Sequence, residues 1–143
     1  MFFGEFDHAV DVKGRVILPA KFREPFEAGA YLTKVIDGCL AVYTNEEFQV
    51  VAREMQEKSK RGLVQRNVVR SFAAGTAEVV PDRQGRIAIP QNLRTFAELT
   101  DRVMVTGQIN RLEIWDAEKW ARVNSEGEAA MNDPQADLHD MTI

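Results

Sequence analysis

The sequence predicts an α+β, β-rich protein made of two tandem repeats that pack on each other as a pseudo-dimer within one chain. The first observation is an internal duplication, because the segment Asp11–Arg23 recurs as Asp82–Arg94, 71 positions later. A second pair of matching segments, Leu40–Phe48 and Leu112–Trp120, follows at an offset of 72. Ordered matches at nearly one interval indicate repeated structural units. Each unit has about half of the 143 residues, too few to bury a generous core alone, so the units gain most by packing together.

In each repeat, an Asp-x-x-Gly-Arg block predicts a tight turn that leads into a short strand. Gly14 and Gly85 can adopt the positive φ that such turns require. The residues after each arginine are wholly apolar, which predicts strands buried on both faces. Pro19 and Pro90 end these strands and suit the first position of a helix, because proline lacks the amide donor that would be unpaired there. The strands and the short helices that follow them are predicted over 16–18, 87–89, 20–26 and 91–98.

The second half of each repeat predicts a hairpin followed by a capped helix. The four hairpin strands are predicted over 30–36, 39–43, 102–107 and 111–115. Thr44 and Glu47 form a capping box, which predicts a helix from 45 to about 60. Asp116 is the equivalent cap of a shorter helix from 117 to about 124. The aromatic residues around these caps are expected to be core or staple residues: Tyr43, Phe48, Trp115 and Trp120.

A helical segment connects the two repeats. It is expected to end at 73–75, and a strand over 76–80 then leads into the second repeat. We expect the first repeat with its connecting helices over 1–71, the second repeat over 72–124, and an acidic, mobile tail over 125–143. The aromatic residues near the N-terminus are expected either to pack the pseudo-dimer or to form a subunit interface: Phe2, Phe3 and Phe6.

The net charge of −4 is concentrated in the tail. Five acidic residues and no Lys or Arg lie within 125–143. Without those five, the 22 acidic residues of the chain fall to 17, against 18 basic ones. The body is therefore close to neutral, so any nucleic-acid binding must come from a local basic surface.

The motifs of common enzymes and metal sites are absent from this sequence. There is no phosphate-binding Gly-rich loop and no His-Glu-x-x-His, and the two histidines are His8 and His139. Cys39, the single cysteine, has no His or Cys at metal-ligand spacing, and its side chain is expected to be buried. A single cysteine also fits a protein of a reducing compartment. Asp11 and Asp82 each precede an arginine by four residues, and pairing would keep both carboxylates ionised and unreactive. We expect no catalysis, cofactor, metal or small-molecule substrate.

The chain also lacks the features of a membrane protein. No apolar run approaches the roughly 20 residues that span a bilayer, and the N-terminus does not resemble a signal peptide. We therefore expect a cytoplasmic protein with no membrane partner.

The two Asp-x-x-x-Arg motifs are the best candidates for a binding surface. Arg15 and Arg86 follow the turn glycines, and a rigidly held guanidinium suits bidentate contacts with phosphate or guanine. Lys13 and Arg83 flank these arginines. Three further cations could extend the basic patch: Lys21, Arg23 and Arg94. The alternative is that each Asp–Arg pair is only a structural ion pair that closes its turn. One such motif is weak, but two copies on related units favour a surface that meets a repeated target.

The paired motifs resemble those of the MraZ family, bacterial transcriptional regulators with two SpoVT/AbrB-like domains in tandem. The resemblance covers roughly residues 1–124 and includes these segments: Phe2-Phe3-Gly4, Asp11-x-Lys13-Gly14-Arg15, Pro19-x-x-x-Arg23, Arg70-x-Phe72, Gly75-Thr76-Ala77, Asp82-x-Gln84-Gly85-Arg86, Pro90-x-x-x-Arg94 and Asn110-Arg111-x-Glu113-Ile114-Trp115.

The resemblance implies a specific fold, assembly and function. Each half is expected to be a swapped hairpin, and the chains are expected to form a ring-shaped homo-oligomer. The two Asp-x-x-x-Arg motifs are then the elements that contact double-stranded DNA at repeated operator sites, in association with the nucleoid. The implied target is the division and cell-wall gene cluster that includes the protein's own gene.

Two alternatives remain from the sequence. An AbrB-like antitoxin usually has one copy of the domain and a disordered tail that wraps a toxin, whereas this chain has two copies and a short tail. A structural assembly protein would use the Asp and Arg residues for subunit contacts. A mobility shift with the upstream DNA of the gene distinguishes these alternatives from a regulator.

Overall fold

The computed structural model describes residues 1–135 and 141 and shows a β-rich α+β fold. Among these residues, eight strands run in chain order: β1 (Phe2–Ala9), β2 (Arg15–Ile17), β3 (Ala30–Lys34), β4 (Leu40–Tyr43), β5 (Ala77–Val79), β6 (Arg86–Ala88), β7 (Arg102–Ile109) and β8 (Leu112–Asp116). The helices are α1 (Asn45–Lys60), α2 (Arg66–Gly75), α3 (Gln91–Phe96) and α4 (Ala117–Met131). Two 3₁₀ turns, Ala20–Phe22 and Glu24–Phe26, follow β2.

The strand order shows that the two repeats are related by a pseudo-twofold axis. The six-stranded antiparallel sheet has the order β1-β7-β8-β4-β3-β5, and a ribbon pairs β2 with β6. If each strand of the sheet is exchanged for its counterpart in the other repeat, the same order is read in reverse. At the centre, Ala41 of β4 lies opposite Glu113 of β8, its own counterpart at the offset of 72. The prediction of two repeats packed as a pseudo-dimer is confirmed.

The first strand of each repeat pairs with a strand of the other repeat. β1 lies antiparallel to β7 along its whole length, from Phe2 opposite Ile109 to Ala9 opposite Arg102. β5 pairs in the same way with β3 of the first repeat. The swapped arrangement implied by the family resemblance is therefore present, and neither repeat has a complete sheet of its own.

The ribbon lies on one face of the sheet, and the helices α1, α2 and α4 lie on the other. Val16 and Ile87 of the ribbon are fully buried in one core with Leu32 and Val105 of the sheet. The other face carries α1, α2 and α4. There, the ring of Tyr31 in β3 stacks on the ring of Phe48 in α1 at 4.3 Å between centroids, and Trp120 of α4 donates a hydrogen bond to Glu5 of β1 at 2.8 Å.

The caps predicted for α1 and α4 are confirmed. The amide of Glu47 donates to the hydroxyl of Thr44 at 3.3 Å, and the amide of Lys119 donates to the carboxylate of Asp116 at 3.1 Å. Each pair satisfies an amide that has no partner within the helix. The flanking aromatic rings lie at staple distance, with 6.0 Å between the centroids of Tyr43 and Phe48 and 5.9 Å between those of Trp115 and Trp120.

The strand β1 was not predicted from the sequence. Its local pattern is interrupted by Gly4, which has a φ of 105°. Pairing with the distant β7 stabilises the strand, and Gly107 of β7 has no room for a side chain because a Cβ would overlap the backbone of Phe2 and Phe3. Phe2 is buried and Phe6 is half-buried in the core of the pseudo-dimer, whereas Phe3 is 54% exposed.

Two helix predictions were wrong. The helix expected over 20–26 is replaced by two 3₁₀ turns, and Pro25, which cannot donate to an α-helical hydrogen bond, lies in the second turn. The last helix does not end near 124 but continues to Met131. Asn124 supports this extension by donating to Glu128 one turn later, at 3.0 Å.

The expected tail over 125–143 therefore begins inside α4. Its residues 136–140, 142 and 143, with His139 among them, lie outside the described residues. Within the described part of the chain, none of the helices has the length and apolar character needed to cross a bilayer.

Candidate nucleic-acid interface

The ribbon presents its two arginines on the face turned away from the core. Because side chains alternate along a strand, Val16 and Ile87 point inward and are fully buried. Arg15, Ile17, Arg86 and Ala88 share the outer face, where Ile17 is half-buried and Ala88 is exposed. The expectation that these strands are buried on both faces was therefore wrong. The outer face of the ribbon is open to a partner.

The register places the two arginines diagonally across the ribbon. Arg15 lies opposite Ala88, and Arg86 lies opposite Ile17. Beyond this pairing, the amide of Leu18 donates to Gly85 at 2.7 Å, and the amide of Ile89 donates to Gly14 at 3.0 Å. These bonds obey the same pseudo-twofold symmetry as the sheet. Each motif turn is thus joined directly to the strand of the other repeat.

Each motif turn is organised by its aspartate. Oδ1 of Asp11 accepts hydrogen bonds from the amides of Lys13 and Arg15, both at 2.9 Å. The other oxygen, Oδ2, accepts from Nε of Arg15 at 2.8 Å. A short polar side chain that binds amides two and four residues later stabilises such a turn locally.

The second repeat reproduces this geometry closely. Oδ1 of Asp82 accepts from the amides of Gln84 and Arg86 at 3.0 and 2.9 Å, and Oδ2 accepts from Nε of Arg86 at 2.7 Å. In both turns, Nε is the only guanidinium atom that donates a hydrogen bond to the aspartate. The terminal Nη groups of the two arginines donate no hydrogen bond to any described residue.

These hydrogen bonds favour the charged form of both aspartates. The pKa of Asp11 is lowered from its ordinary value, first by the amide of Arg15 and then by the guanidinium of Arg15 and the amide of Lys13. The pKa of Asp82 is lowered in the same way by Arg86 and Gln84. Both carboxylates are therefore ionised at neutral pH. They serve as fixed acceptors that orient the arginines, not as proton donors.

Gly14 and Gly85 are required for two separate reasons. Their φ values of 75° and 79° lie in the left-handed region that only glycine adopts without cost. In addition, a Cβ on Gly14 would overlap the guanidinium of Arg94, and a Cβ on Gly85 would overlap that of Arg23. Each turn is thus covered by an arginine of the other repeat.

The three cations predicted to extend the basic patch have specific packing roles. Arg23 donates from Nε to the carbonyl of Leu18 at 2.9 Å, and Arg94 donates to the equivalent carbonyl of Ile89. Both are half-buried. Lys21 is exposed, and its Nζ lies 5.1 Å from the centroids of the two neighbouring phenylalanine rings, those of Phe6 and Phe22. Arg23 and Arg94 therefore pack against the motif turns, and Lys21 packs against the aromatic rings near the ribbon.

The remaining predicted site residues, Lys13 and Arg83, are exposed. Neither forms a salt bridge with another described residue. They occupy different positions in their turns, the third residue in the first repeat and the second residue in the other. The backbone geometry of the two turns is therefore nearly identical, whereas the positions of their exposed cations differ.

The structure joins the two motifs into one surface. Nη1 of Arg15 in the first repeat lies 4.0 Å from Oδ2 of Asp82 in the second. All four charged motif residues therefore lie close together on one ribbon. The sequence did not reveal that Arg23 and Arg94 cross between repeats. Arg23 and Arg94 follow Gly14 and Gly85 at the same interval, which marks them as equivalent residues. This interval does not show that each arginine covers the glycine of the other repeat.

Other titratable groups in the described residues do not form a competing site. Cys39 is fully buried, as expected, and burial raises the pKa of its thiol. No cluster of three or more His, Cys, Asp or Glu side chains suited to a metal ion occurs in the part of the chain that the structure describes.

A comparison with protein-family models gives two matches. The family model described as "MraZ protein, putative antitoxin-like" matches residues 1–71 and again residues 72–141. Together the two matches leave only the last two residues of the chain uncovered. The resemblance noted from the paired motifs is confirmed.

Proposed function

The chain belongs to the MraZ family, which is of regulator type and not enzymatic, and we propose that it is a sequence-specific DNA-binding transcriptional regulator. The proposed DNA-binding residues are those of the two motif turns: Asp11, Lys13, Gly14, Arg15, Asp82, Arg83, Gly85 and Arg86. Lys21, Arg23 and Arg94 support this surface from below and beside it. The proposed target is the division and cell-wall gene cluster that includes the protein's own gene.

The observation that carries the proposal is the placement of Arg15 and Arg86 on one open face of a two-stranded ribbon. The major groove of B-DNA is about 12 Å wide and admits a two-stranded β-ribbon. Each arginine is held through Nε by an aspartate, so its Nη groups are oriented before DNA arrives. A guanidinium whose Nη groups donate no hydrogen bond to a described residue suits guanine O6 and N7 or a phosphate.

The Asp–Arg pairs also agree with a purely structural role, but their exposure favours a role in binding. The side chains of Arg15 and Arg86 are 25% and 32% exposed, and those of their aspartates are 32% and 36% exposed. Ion pairs with this exposure contribute at most about 1 kcal/mol to stability.

A ring of chains accounts for DNA binding by a nearly neutral protein. One ribbon has two arginines, Lys13 and Arg83 against two carboxylates, so its own electrostatic attraction to phosphate is modest. Linking many ribbons in one particle raises the effective concentration for each later contact, so avidity can exceed a single affinity by 10²–10⁴, to order of magnitude. Repeated operator sites would match such an arrangement.

The experiment is a titration of the protein against fluorescent DNA from upstream of its own gene. The proposal predicts a higher affinity for this DNA than for a shuffled duplex. It also predicts that the logarithm of the binding constant falls linearly with the logarithm of the salt concentration. Equal affinity for the two duplexes would contradict sequence-specific recognition. Failure to bind any duplex, combined with capture of a protein toxin, would favour the antitoxin alternative.

A further inference from the structure

The two motif turns share one backbone geometry but present different side chains at their tips. We define the tip of each turn as the two residues between the aspartate and the turn glycine. The tips are Val12 and Lys13 in the first repeat, and Arg83 and Gln84 in the second. All four side chains are exposed. The pseudo-twofold symmetry of the ribbon therefore extends to its backbone and its arginines, but not to the chemistry of its two ends.

The tip side chains do not hold the turns together. Asp11 accepts a hydrogen bond from the main-chain amide of Lys13 at 2.9 Å, and Asp82 accepts one from the main-chain amide of Gln84 at 3.0 Å. The four tip side chains form neither a hydrogen bond nor a salt bridge with any described residue. The turns are thus built from the aspartates and the main chain, and the tip side chains are available to a partner.

Val12 places an apolar group on the first tip. It is the most exposed large hydrophobic residue in the described part of the chain, with a relative exposure of 104%. Its counterpart at the offset of 71 is Arg83, so the turn does not need an apolar residue at this position. An exposed apolar side chain is stabilised by burial against another apolar group. In the major groove of DNA, the apolar group on the base edges is the methyl group of thymine.

Gln84 gives the second tip a different chemistry. Its side-chain amide has both an N–H donor and a carbonyl acceptor. Adenine presents the N7 acceptor and the N6 donor side by side in the major groove, so the two groups can form a pair of hydrogen bonds. Lys13, the counterpart of Gln84, has donors only and cannot form this pair. The second tip therefore matches adenine in a way that the first tip does not.

The ribbon fixes the distance between the two turns. The carbonyl of Gly14 accepts from the amide of Ile89 at one end of the ribbon, and the carbonyl of Gly85 accepts from the amide of Leu18 at the other end. Leu18 follows Gly14 by four residues, which is about 14 Å along a strand. Successive base pairs rise about 3.4 Å along DNA. A ribbon that lies along the groove therefore places its turns roughly four base pairs apart, with the two motif arginines between them.

We propose that Val12 and Gln84 determine which bases the ribbon recognises at the two ends of its site. Val12 packs against the methyl group of a thymine, and Gln84 forms a pair of hydrogen bonds with an adenine roughly four base pairs away. Arg15 and Arg86 make the contacts between these ends. The inference rests on the DNA-binding function proposed above and identifies the residues of the ribbon that distinguish one sequence from another.

Exchange of the tips tests this proposal without changing the net charge. The first-turn variant has Val12→Arg with Lys13→Gln, which gives the first turn the tip of the second. The second-turn variant has Arg83→Val with Gln84→Lys, which is the reverse exchange. Each variant gains one cation and loses one, so its general attraction to phosphate is kept and the two variants are matched controls for each other. Thermal unfolding and particle mass confirm that the fold and the assembly are those of the wild type.

The three proteins select their preferred sites from the same pool of randomised duplexes. Each variant should differ from the wild type only in the base selected at the end that its altered turn contacts. A wrong base at the adenine position should weaken wild-type binding roughly 5- to 150-fold, the range of one bidentate base contact. Selection of the same site by all three proteins would overturn the inference and leave the DNA-binding function standing. A wild type that selects no sequence would overturn that function and the inference with it.

Base analogues test each contact in the wild-type protein itself. Uracil in place of the selected thymine removes only the methyl group, and should weaken wild-type binding about fourfold, the effect of one buried carbon. An adenine analogue with a C–H group in place of N7 removes one acceptor and should also weaken binding. The first-turn variant should be insensitive to uracil, and the second-turn variant to the adenine analogue. Undiminished wild-type affinity for the uracil duplex would overturn the role of Val12, and undiminished affinity for the adenine-analogue duplex would overturn that of Gln84.

Discussion

Nη1 of Arg15 in the first repeat lies 4.0 Å from Oδ2 of Asp82 in the second repeat, while its Nε lies 2.8 Å from Oδ2 of Asp11. Asp82 also holds Nε of Arg86 at 2.7 Å. Asp82 therefore faces both arginines of the ribbon, whereas the salt bridges of Asp11 in the described structure are to Arg15 alone. The diagonal register of β2 and β6 brings these groups of different repeats together.

This asymmetry predicts that Asp82→Asn has a larger effect on DNA recognition than Asp11→Asn. The amide oxygen of Asn can keep the turn bonds, but the negative charge beside two guanidinium groups is lost. Binding to random DNA should tighten because a negative charge near the phosphates is removed, and preference for the operator should fall because the arginines are less fixed. Competition titrations with operator and random duplexes measure both quantities. Equal effects of the two substitutions would show that the contact between repeats has no role.

Gly14→Ala and Gly85→Ala should each destabilise the fold. A left-handed backbone costs a non-glycine residue about 1–2 kcal/mol, and the new methyl group must also displace Arg94 or Arg23. Gly62→Ala is the matched control, because Gly62 has a φ of 70° but no neighbouring atom within 4 Å of its Cβ position. Denaturant titration of the three variants should give a larger loss at Gly14 and Gly85 than at Gly62. Equal losses would mean that the covering arginines contribute nothing.

Arg111→Ala should be much more destabilising than removal of a surface arginine. Burial opposes the charge of Arg111, but hydrogen bonds to Tyr43 and Glu113 outweigh it and raise its pKa. Glu113 is only 7% exposed, so the variant leaves a nearly buried carboxylate without its cation, at a cost of about 3 kcal/mol. Arg102→Ala, whose pair with Asp7 is more than half exposed on both sides, should have little effect on stability because solvent screens such a pair. Similar unfolding midpoints for both variants would refute the importance of this buried pair.

Stability should fall in acid partly through Asp11 and Asp82. Both have a pKa in the folded state below the ordinary value of 3.8, so their contribution is present above that value and is lost as pH falls through the lowered pKa. The double variant with Asp11→Asn and Asp82→Asn should therefore lose less stability than the wild type as the pH falls below the ordinary value of 3.8. Urea titrations across this range measure the slope.

Local chemistry made much of the fold predictable from the sequence. Thr44 and Asp116 marked helix starts, and the repeated turns marked both ends of the ribbon, because caps and glycine turns depend on neighbouring residues only. The strand β1 was not predictable in this way, since its stability comes from β7 about 100 residues later. The end of α4 was missed because charge and low periodicity suggested a tail, although Ala129 and Ala130 favour a helix.

The candidate site was predictable in its residues but not in its arrangement. Asp11, Arg15 and their counterparts follow from the repeat alone. Their union on one ribbon depends on the antiparallel register of two strands that are 71 residues apart. Such pairing between repeats is decided by packing of Val16 against Ile87, and no local pattern specifies it.

The most direct test of the central claim is the operator affinity of Arg15→Ala and Arg86→Ala. A lost bidentate base contact should weaken binding by about 1–3 kcal/mol per ribbon, and a lost phosphate contact should reduce the salt slope by about 0.9. Melting temperature and particle mass should stay near wild-type values, because an exposed pair contributes little to stability. Arg53→Ala, an exposed arginine of α1 on the opposite face of the sheet, should leave the affinity unchanged. Folded, correctly assembled Arg15→Ala and Arg86→Ala chains that bind the operator with undiminished affinity would contradict the proposed role of the ribbon in DNA recognition.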